Sequence, residues 1–107
     1  MTENREYCKR VAEELEAIYR GEVQTEDGET MTLYDYFADV LDFEYTIDRR
    51  KEYRSVKVWV ALGGPNVWID TRTASVNLAW GSDREEFALD YDVRDEIDGI
   101  FEDFYYC

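Results

Sequence analysis

Carboxylates are the side chains of this protein that could do chemistry, and near its C-terminal end they recur at helical spacing. Asp92, Asp95, Glu96, Asp98, Glu102 and Asp103 follow one another there with few bases between them. On a helix, positions three or four apart stand roughly 5–6 Å from one another, so these six can form a row of negative charge. A pair drawn from such a row could share acid and base roles in glycoside hydrolysis, or hold a divalent cation. The whole row could instead imitate a nucleic-acid backbone, which carries one charge per strand every ~3.4 Å of duplex axis.

The usual catalytic constellations are missing. The sequence has no His, so it holds no Ser-His-Asp or Cys-His arrangement and no imidazole metal site. Gly63-Gly64-Pro65 lacks the Lys-Ser/Thr of a phosphate loop and reads as a turn between strands. Glu26-Asp27-Gly28-Glu29 and Asp90-x-Asp92 come nearest to a carboxylate site, and neither follows the calcium-loop pattern. The expectation is a protein that is not an enzyme and needs no cofactor or metal. Cys8 and Cys107 sit near opposite ends. They could pair, but two isolated cysteines without a secretory leader read as reduced thiols in a bacterial cytoplasm.

Charge is the strongest compositional feature: 26 acids against 12 bases, a net of −14 in 107 residues. It is uneven. Residues 22–48 hold nine acids and no base, among them Asp35, Asp39 and Asp42. Residues 83–107 hold ten acids, Glu85 and Glu86 included, against Arg84 and Arg94, a net of −8. Residues 49–57 reverse the sign, with Arg49, Arg50, Lys51, Arg54 and Lys57 against Glu52. A charged helix face is ordinarily a solvated face, but surface helices usually mix both signs and gain from i,i+4 pairs. The C-terminal segment keeps its repulsion unrelieved, which points to a partner that relieves it. An excess of −14 matches the phosphates of about seven base pairs.

The elements that must position these charges follow from periodicity. Arg54–Leu89 alternates apolar and polar residues in short runs broken by Gly, Pro, Asn, Asp and Ser, as an antiparallel meander does. A period of two puts Val56, Val58, Val60 and Leu62 on one face with Val67, Ile69, Val76, Leu78, Trp80, Phe87 and Leu89. Phe43, Tyr45 and Ile47 suggest a further strand ahead of it. Residues 1–21 read as an amphipathic helix with a stripe of Cys8, Val11, Leu15 and Ile18, stopped at Gly21. Thr32 and Asp35 form the start of a short helix over Leu33–Leu41. The C-terminal segment is a second strong helix with a stripe of Val93, Ile97, Ile100, Phe101 and Phe104, capped by Asp90 or Asp92. The chain is thus expected to be one α+β domain, residues 1–107. Its architecture would be a β-meander of four to five strands, with two N-terminal helices and one C-terminal helix packed on it. Trp59 and Trp68 alternate away from the core stripe. They either lie under a helix covering that second face or form an aromatic contact patch.

Three stretches carry a resemblance: Leu62–Thr71 (LGGPNVWIDT), Trp80–Glu86 (WGSDREE) and the acidic tail Asp95–Tyr106 (DEIDGIFEDFYY). In these the chain resembles small acidic proteins of phages and mobile elements of gut Firmicutes, some of which are anti-CRISPR inhibitors. The resemblance implies an anti-defence protein that blocks the basic channel of an RNA-guided nuclease such as Cas9, mimicking nucleic acid rather than binding it. The partner-binding set would be Asp92, Asp95, Glu96, Asp98, Glu102, Asp103, Glu85, Glu86, Asp35, Asp39, Asp42, Trp59 and Trp68. The same electrostatics would serve an immunity protein or antitoxin that neutralises a basic toxin. A carboxylate enzyme using a divalent metal is the third class.

Overall fold

The computed structural model describes residues 3–40 and 42–107. Its elements run α1 (Glu3–Tyr19), α2 (Leu33–Phe37), β1 (Asp42–Ile47), β2 (Tyr53–Ala61), β3 (Asn66–Asp70), β4 (Ser75–Trp80), β5 (Asp83–Ala88) and α3 (Tyr91–Tyr106). All five strands pair antiparallel in chain order, with the strand at Phe43, Tyr45 and Ile47 as one edge. This is the α+β meander that the alternation predicted.

Local rules account for the boundaries. Cys8, Val11, Ala12, Leu15 and Ile18 are the buried stripe of α1. Gly21, at φ 75°, ends the helix. Its N–H donates to the Ile18 carbonyl, and the Glu22 N–H to that of Ala17, both at 3.0 Å. That pair of bonds is a Schellman cap, which asks for a left-handed residue at this position. In α2 the Thr32 hydroxyl accepts from the Asp35 N–H at 3.1 Å, and the Asp35 carboxylate accepts from the Thr32 N–H at 3.0 Å. The capping box is complete, but α2 is a single turn rather than the helix expected over Leu33–Leu41. The chain leaves the helix at Ala38 because β1 begins at Asp42. Leu41 itself lies outside the described residues. Leu33 and Phe37 are buried, and Val40 packs on the core from its edge.

The inner face of the sheet follows the period-two reading over most of its area. Val56, Val58, Val67, Ile69, Val76 and Leu78 are fully buried. Two assignments fail, at Leu62 and Trp80, which are 54% and 55% exposed. A bulge explains the first. Trp59 faces Trp68, but the next partner of Val67 is Ala61, so one residue of β2 is extra. One extra residue swaps the faces, turning Ala61 inward and Leu62 to solvent. Trp80 lies at the rim instead, beside Pro65 and the first turns of α1, where coverage of the sheet ends.

All three helices lie on this one face. The core is a single cluster, with α1 over β4 and β5 and α3 beside β2. Aromatic rings fill the α3 half. Phe101 meets Phe37, Phe43 and Phe104 at centroid distances of 5.6, 5.2 and 5.8 Å. Tyr45 meets Phe43, Tyr53 and Tyr105 at 5.3, 5.9 and 5.2 Å. Edge-to-face pairs of this kind are worth about 0.5–1.5 kcal/mol each beyond the area they bury. Hydrogen bonds then fasten the end of α3 to the β1–β2 turn. The Tyr105 hydroxyl donates to the Lys51 carbonyl at 2.6 Å, and the Tyr53 N–H donates to the Tyr106 hydroxyl at 2.9 Å. Cys8 and Cys107 do not pair: the first is buried in the core and the second is exposed. Burial pushes the Cys8 thiol up, and the Glu85 carboxylate adds to the shift, so this thiol is unreactive.

Two substitutions in α3 should move stability in opposite directions, as read by urea unfolding. Phe101→Ala removes the ring on which three others converge and is expected to cost about 3–5 kcal/mol. Gly99→Ala is expected to add about 1 kcal/mol, because a Cβ at Gly99 meets no atom within 4 Å.

Candidate interaction surfaces

Helix α3 is built by two interleaved patterns. Val93, Ile97 and Phe101, four apart, are buried and fix which side faces the sheet. The acids take the remaining positions. The Asp90 carboxylate caps the helix by accepting from the Asp92 N–H at 2.8 Å, and the helix dipole favours charge there. Glu102 and Asp103 stand near the opposite end, where the dipole disfavours them, and no base lies in the last turn.

The six α3 carboxylates are not equivalent. Asp95 pairs with the Arg94 guanidinium at 2.7 Å. Asp98 accepts from the Tyr53 hydroxyl at 2.6 Å and so belongs partly to the fold. Asp92, Glu96, Glu102 and Asp103 make no ion pair or side-chain hydrogen bond among the described residues, and all four are exposed. They are the free part of the array.

The rest of the sequence-derived set is divided between two sides of the molecule. Asp35 and Asp39 belong to the helical layer, since the Tyr34 ring lies 5.8 Å from that of Phe104 and sets α2 beside the end of α3. Asp35 is engaged in its capping box, and Asp39 is exposed. Glu85 faces Leu78 across the β4–β5 pair, hence lies on the inner face, half-buried near Cys8. Asp42, Glu86, Trp59 and Trp68 lie on the outer face of the sheet. One flat interface cannot use both sides.

That outer face carries no covering element among the described residues. Its central cross-strand row reads Asp42, Trp59, Trp68, Asn77, Glu86, one residue from each strand. The two indoles stack on each other, 6.1 Å apart and 26° from parallel, and neither belongs to the core cluster. Of the two readings open in the sequence, a second helix layer over the tryptophans is therefore excluded for the described chain.

The basic stretch 49–57 forms the β1–β2 turn and the start of β2. Asp48 organises it: its carboxylate accepts from the Arg50 and Glu52 N–H groups at 2.8 and 3.1 Å and pairs with Arg54 at 2.7 Å. Donation from these N–H groups, that of Glu52 first, holds the Asp48 carboxyl below the usual range. Arg49, Arg50 and Lys51 are exposed at the tip, without an ion pair among the described residues. No group of three or more His, Cys, Asp or Glu among the described residues could hold a metal. No helix there is long and apolar enough to cross a membrane.

Two tyrosines, Tyr53 bonded to the acidic helix and Tyr36 of α2, make the fold's stability sensitive to alkali. Burial, then the Asp98 hydrogen bond and charge, push the Tyr53 hydroxyl far above its ordinary value. Burial pushes Tyr36 up to about 12. A folded-state pKa above the unfolded one gives stability that is complete below the unfolded pKa, here 10.0, and is lost as pH rises through the folded value. Melting temperature should therefore fall between pH ~10 and ~12. Tyr53→Phe should flatten that fall while lowering stability at neutral pH by about 1–2 kcal/mol.

Comparison with known proteins brings no match from a family model, a curated protein or a solved structure.

Proposed function

We propose that this protein is a stoichiometric inhibitor of a nucleic-acid-binding enzyme. It would act as an acidic DNA or RNA mimic, in the manner of an anti-CRISPR protein occupying the channel of an RNA-guided nuclease such as Cas9. The observation that carries the reading is the free carboxylate array of Asp92, Glu96, Glu102 and Asp103 on the exposed side of α3. Like charges at i,i+4 destabilise a helix by roughly 0.2–0.5 kcal/mol per pair, and Asp92 with Glu96 is such a pair. The array is also stiff. Buried Val93, Ile97 and Phe101 seat α3 on the sheet, and the bonds of Tyr105 and Tyr106 fasten its end, so little further backbone ordering is needed when a partner docks.

A basic nucleic-acid channel offers what the monomer lacks. Its Lys and Arg side chains pair with phosphates, and a carboxylate array of similar density can take their place while excluding the true ligand. Binding of this kind is steered by long-range attraction and weakens steeply with salt. The protein would be a decoy, with nucleic acid imitated and not bound, and it would work in the cytoplasm of a bacterial host.

A basic toxin is the second partner class, and the uncovered indole pair favours it, since Trp is enriched among the residues that anchor protein–protein interfaces. Both classes place the same α3 charges against a cationic cleft.

The test replaces the free array alone: Asp92→Asn, Glu96→Gln, Glu102→Gln and Asp103→Asn, leaving Asp95 and Asp98 in their internal contacts. Target cleavage by a panel of Cas9-type nucleases with guide RNA is the readout. The unmodified protein should inhibit a member of the panel, and the variant should need roughly 100-fold more, about 0.7 kcal/mol per carboxylate. Its melting temperature should equal or exceed that of the parent. Equal inhibition by a folded variant would remove the mimic reading.

A further inference from the structure

The outer face of the sheet has a composition that the acidic-helix reading does not use. Its central row places a carboxylate at each end, Asp42 and Glu86, and two stacked indoles with one amide between them. Neighbouring strands lie about 4.8 Å apart, so this row spans about 19 Å. Asp42 accepts from the N–H of Phe43, and neither it nor the Glu86 side chain forms an ion pair among the described residues. Beside Trp68 a shallow cavity of about 180 Å³ is lined by Asn77, Arg84 and Glu86. Arg84 stands at its edge and keeps its charge, its guanidinium donating to the Gly81 and Asp83 carbonyls at 2.9 and 2.8 Å.

We infer that this face is a second docking surface, which receives arginine side chains from a cationic protein. An arginine lying over the Trp59–Trp68 pair would present its cation to the indole faces, and its planar fork would lie along the row toward Asp42 or Glu86. Stacking and bidentate carboxylate contact together are what a guanidinium does and an ammonium does not. The other occupants fit worse. Bases stack on aromatic sheet faces, but a chain of net charge −14 repels a phosphate backbone. A second copy would bring the same −14 against itself. The outer face itself sums to −2, with Asp42, Glu44, Asp70 and Glu86 against Lys57 and Arg84. The inference rests on the proposed function in one respect: the partner is a basic protein.

The experiment titrates the protein at low ionic strength with oligoarginine and with oligolysine of equal length, following indole N–H signals by NMR. Oligoarginine should bind roughly tenfold tighter and move the signals of Trp59 and Trp68. Asp42→Asn with Glu86→Gln, exposed changes that leave the stack in place, should abolish that preference, and so should Trp68→Ala in a variant that circular dichroism shows to be folded. The α3 charge variant should weaken both peptides alike and keep the preference. Signals of Trp59 and Trp68 that stay still while those of α3 or Trp80 move would overturn this inference and leave the proposed function standing. Indole shifts with undiminished binding by the α3 variant would do the reverse. Movement of the same indoles by oligothymidine but not by oligoarginine, or by self-association seen in sedimentation, would also overturn it.

Discussion

The structure depends on burying one face of the sheet and leaving the other open. Val56, Val58, Val67, Ile69, Val76 and Leu78 form a continuous apolar floor, and α1 and α3 divide it between them. The burial must outweigh a large opposing electrostatic term, because a net charge of −14 on a chain of this size repels itself in the compact state. Aromatic packing contributes much of what holds the acidic helix down. Rings of α2, β1, β2 and α3 meet at Phe101 and Tyr45, so the element carrying the free carboxylates is also tied to the sheet by aromatic packing. Charge and packing sit on opposite sides of the same sixteen-residue helix.

The sequence disclosed features whose cause is local. Stripes at three- and four-residue spacing placed α1 and α3, Thr32 with Asp35 announced the capping box, and strict alternation placed the strands. What it hid was set by contacts between distant residues. Leu62 looks like one more inward position of its strand until the bulge at Trp59–Ala61 turns it out, and no residue type there signals a bulge. Trp80 continues a perfect alternation but runs past the part of the sheet that helices cover. The carboxylates show the same limit. Asp95 and Asp98 are indistinguishable from Asp92 and Asp103 in sequence, yet Asp98 is claimed by a hydroxyl 45 positions away. Some tyrosines are likewise claimed by the fold: Tyr45 and Tyr53 pack on α3, and Tyr105 reaches across to Lys51.

Those internal claims on acids and bases reduce the charge that is free to act outside the molecule, and they do so selectively. Asp35 and Asp90 cap helices, Asp48 builds a turn, and Asp98 anchors Tyr53. On the basic side Arg94 is similarly occupied: it pairs with Asp95, donates to the Thr71 carbonyl at 3.2 Å, and lies over the Tyr91 ring. Arg54 closes on Asp48. Arg94 relieves only Asp95 of the α3 acids, and Arg54 is held at the β1–β2 turn. The free acids of α3 are thus left over after the fold has taken what it needs, and their repulsion is the part that folding alone does not explain.

The open sheet face sharpens that point. If solubility were the whole reason for the acids, a half-buried tryptophan pair on an uncovered sheet face would not serve it, since apolar surface left to solvent favours association. The two features are reconciled when both serve a partner. Carboxylates draw a cationic surface in from a distance and reject anionic or identical chains, while the indoles supply short-range contact once it arrives. They lie on opposite sides of a molecule only 24 Å across its shortest dimension. A partner engaging both must therefore wrap around the domain, or two parts of an assembly must each take one face. A cleft that closes around its ligand meets the first requirement, and a nucleic-acid channel is such a cleft. On the proposed reading, a single partner that met both the free charges and the indole pair would have to enclose the domain.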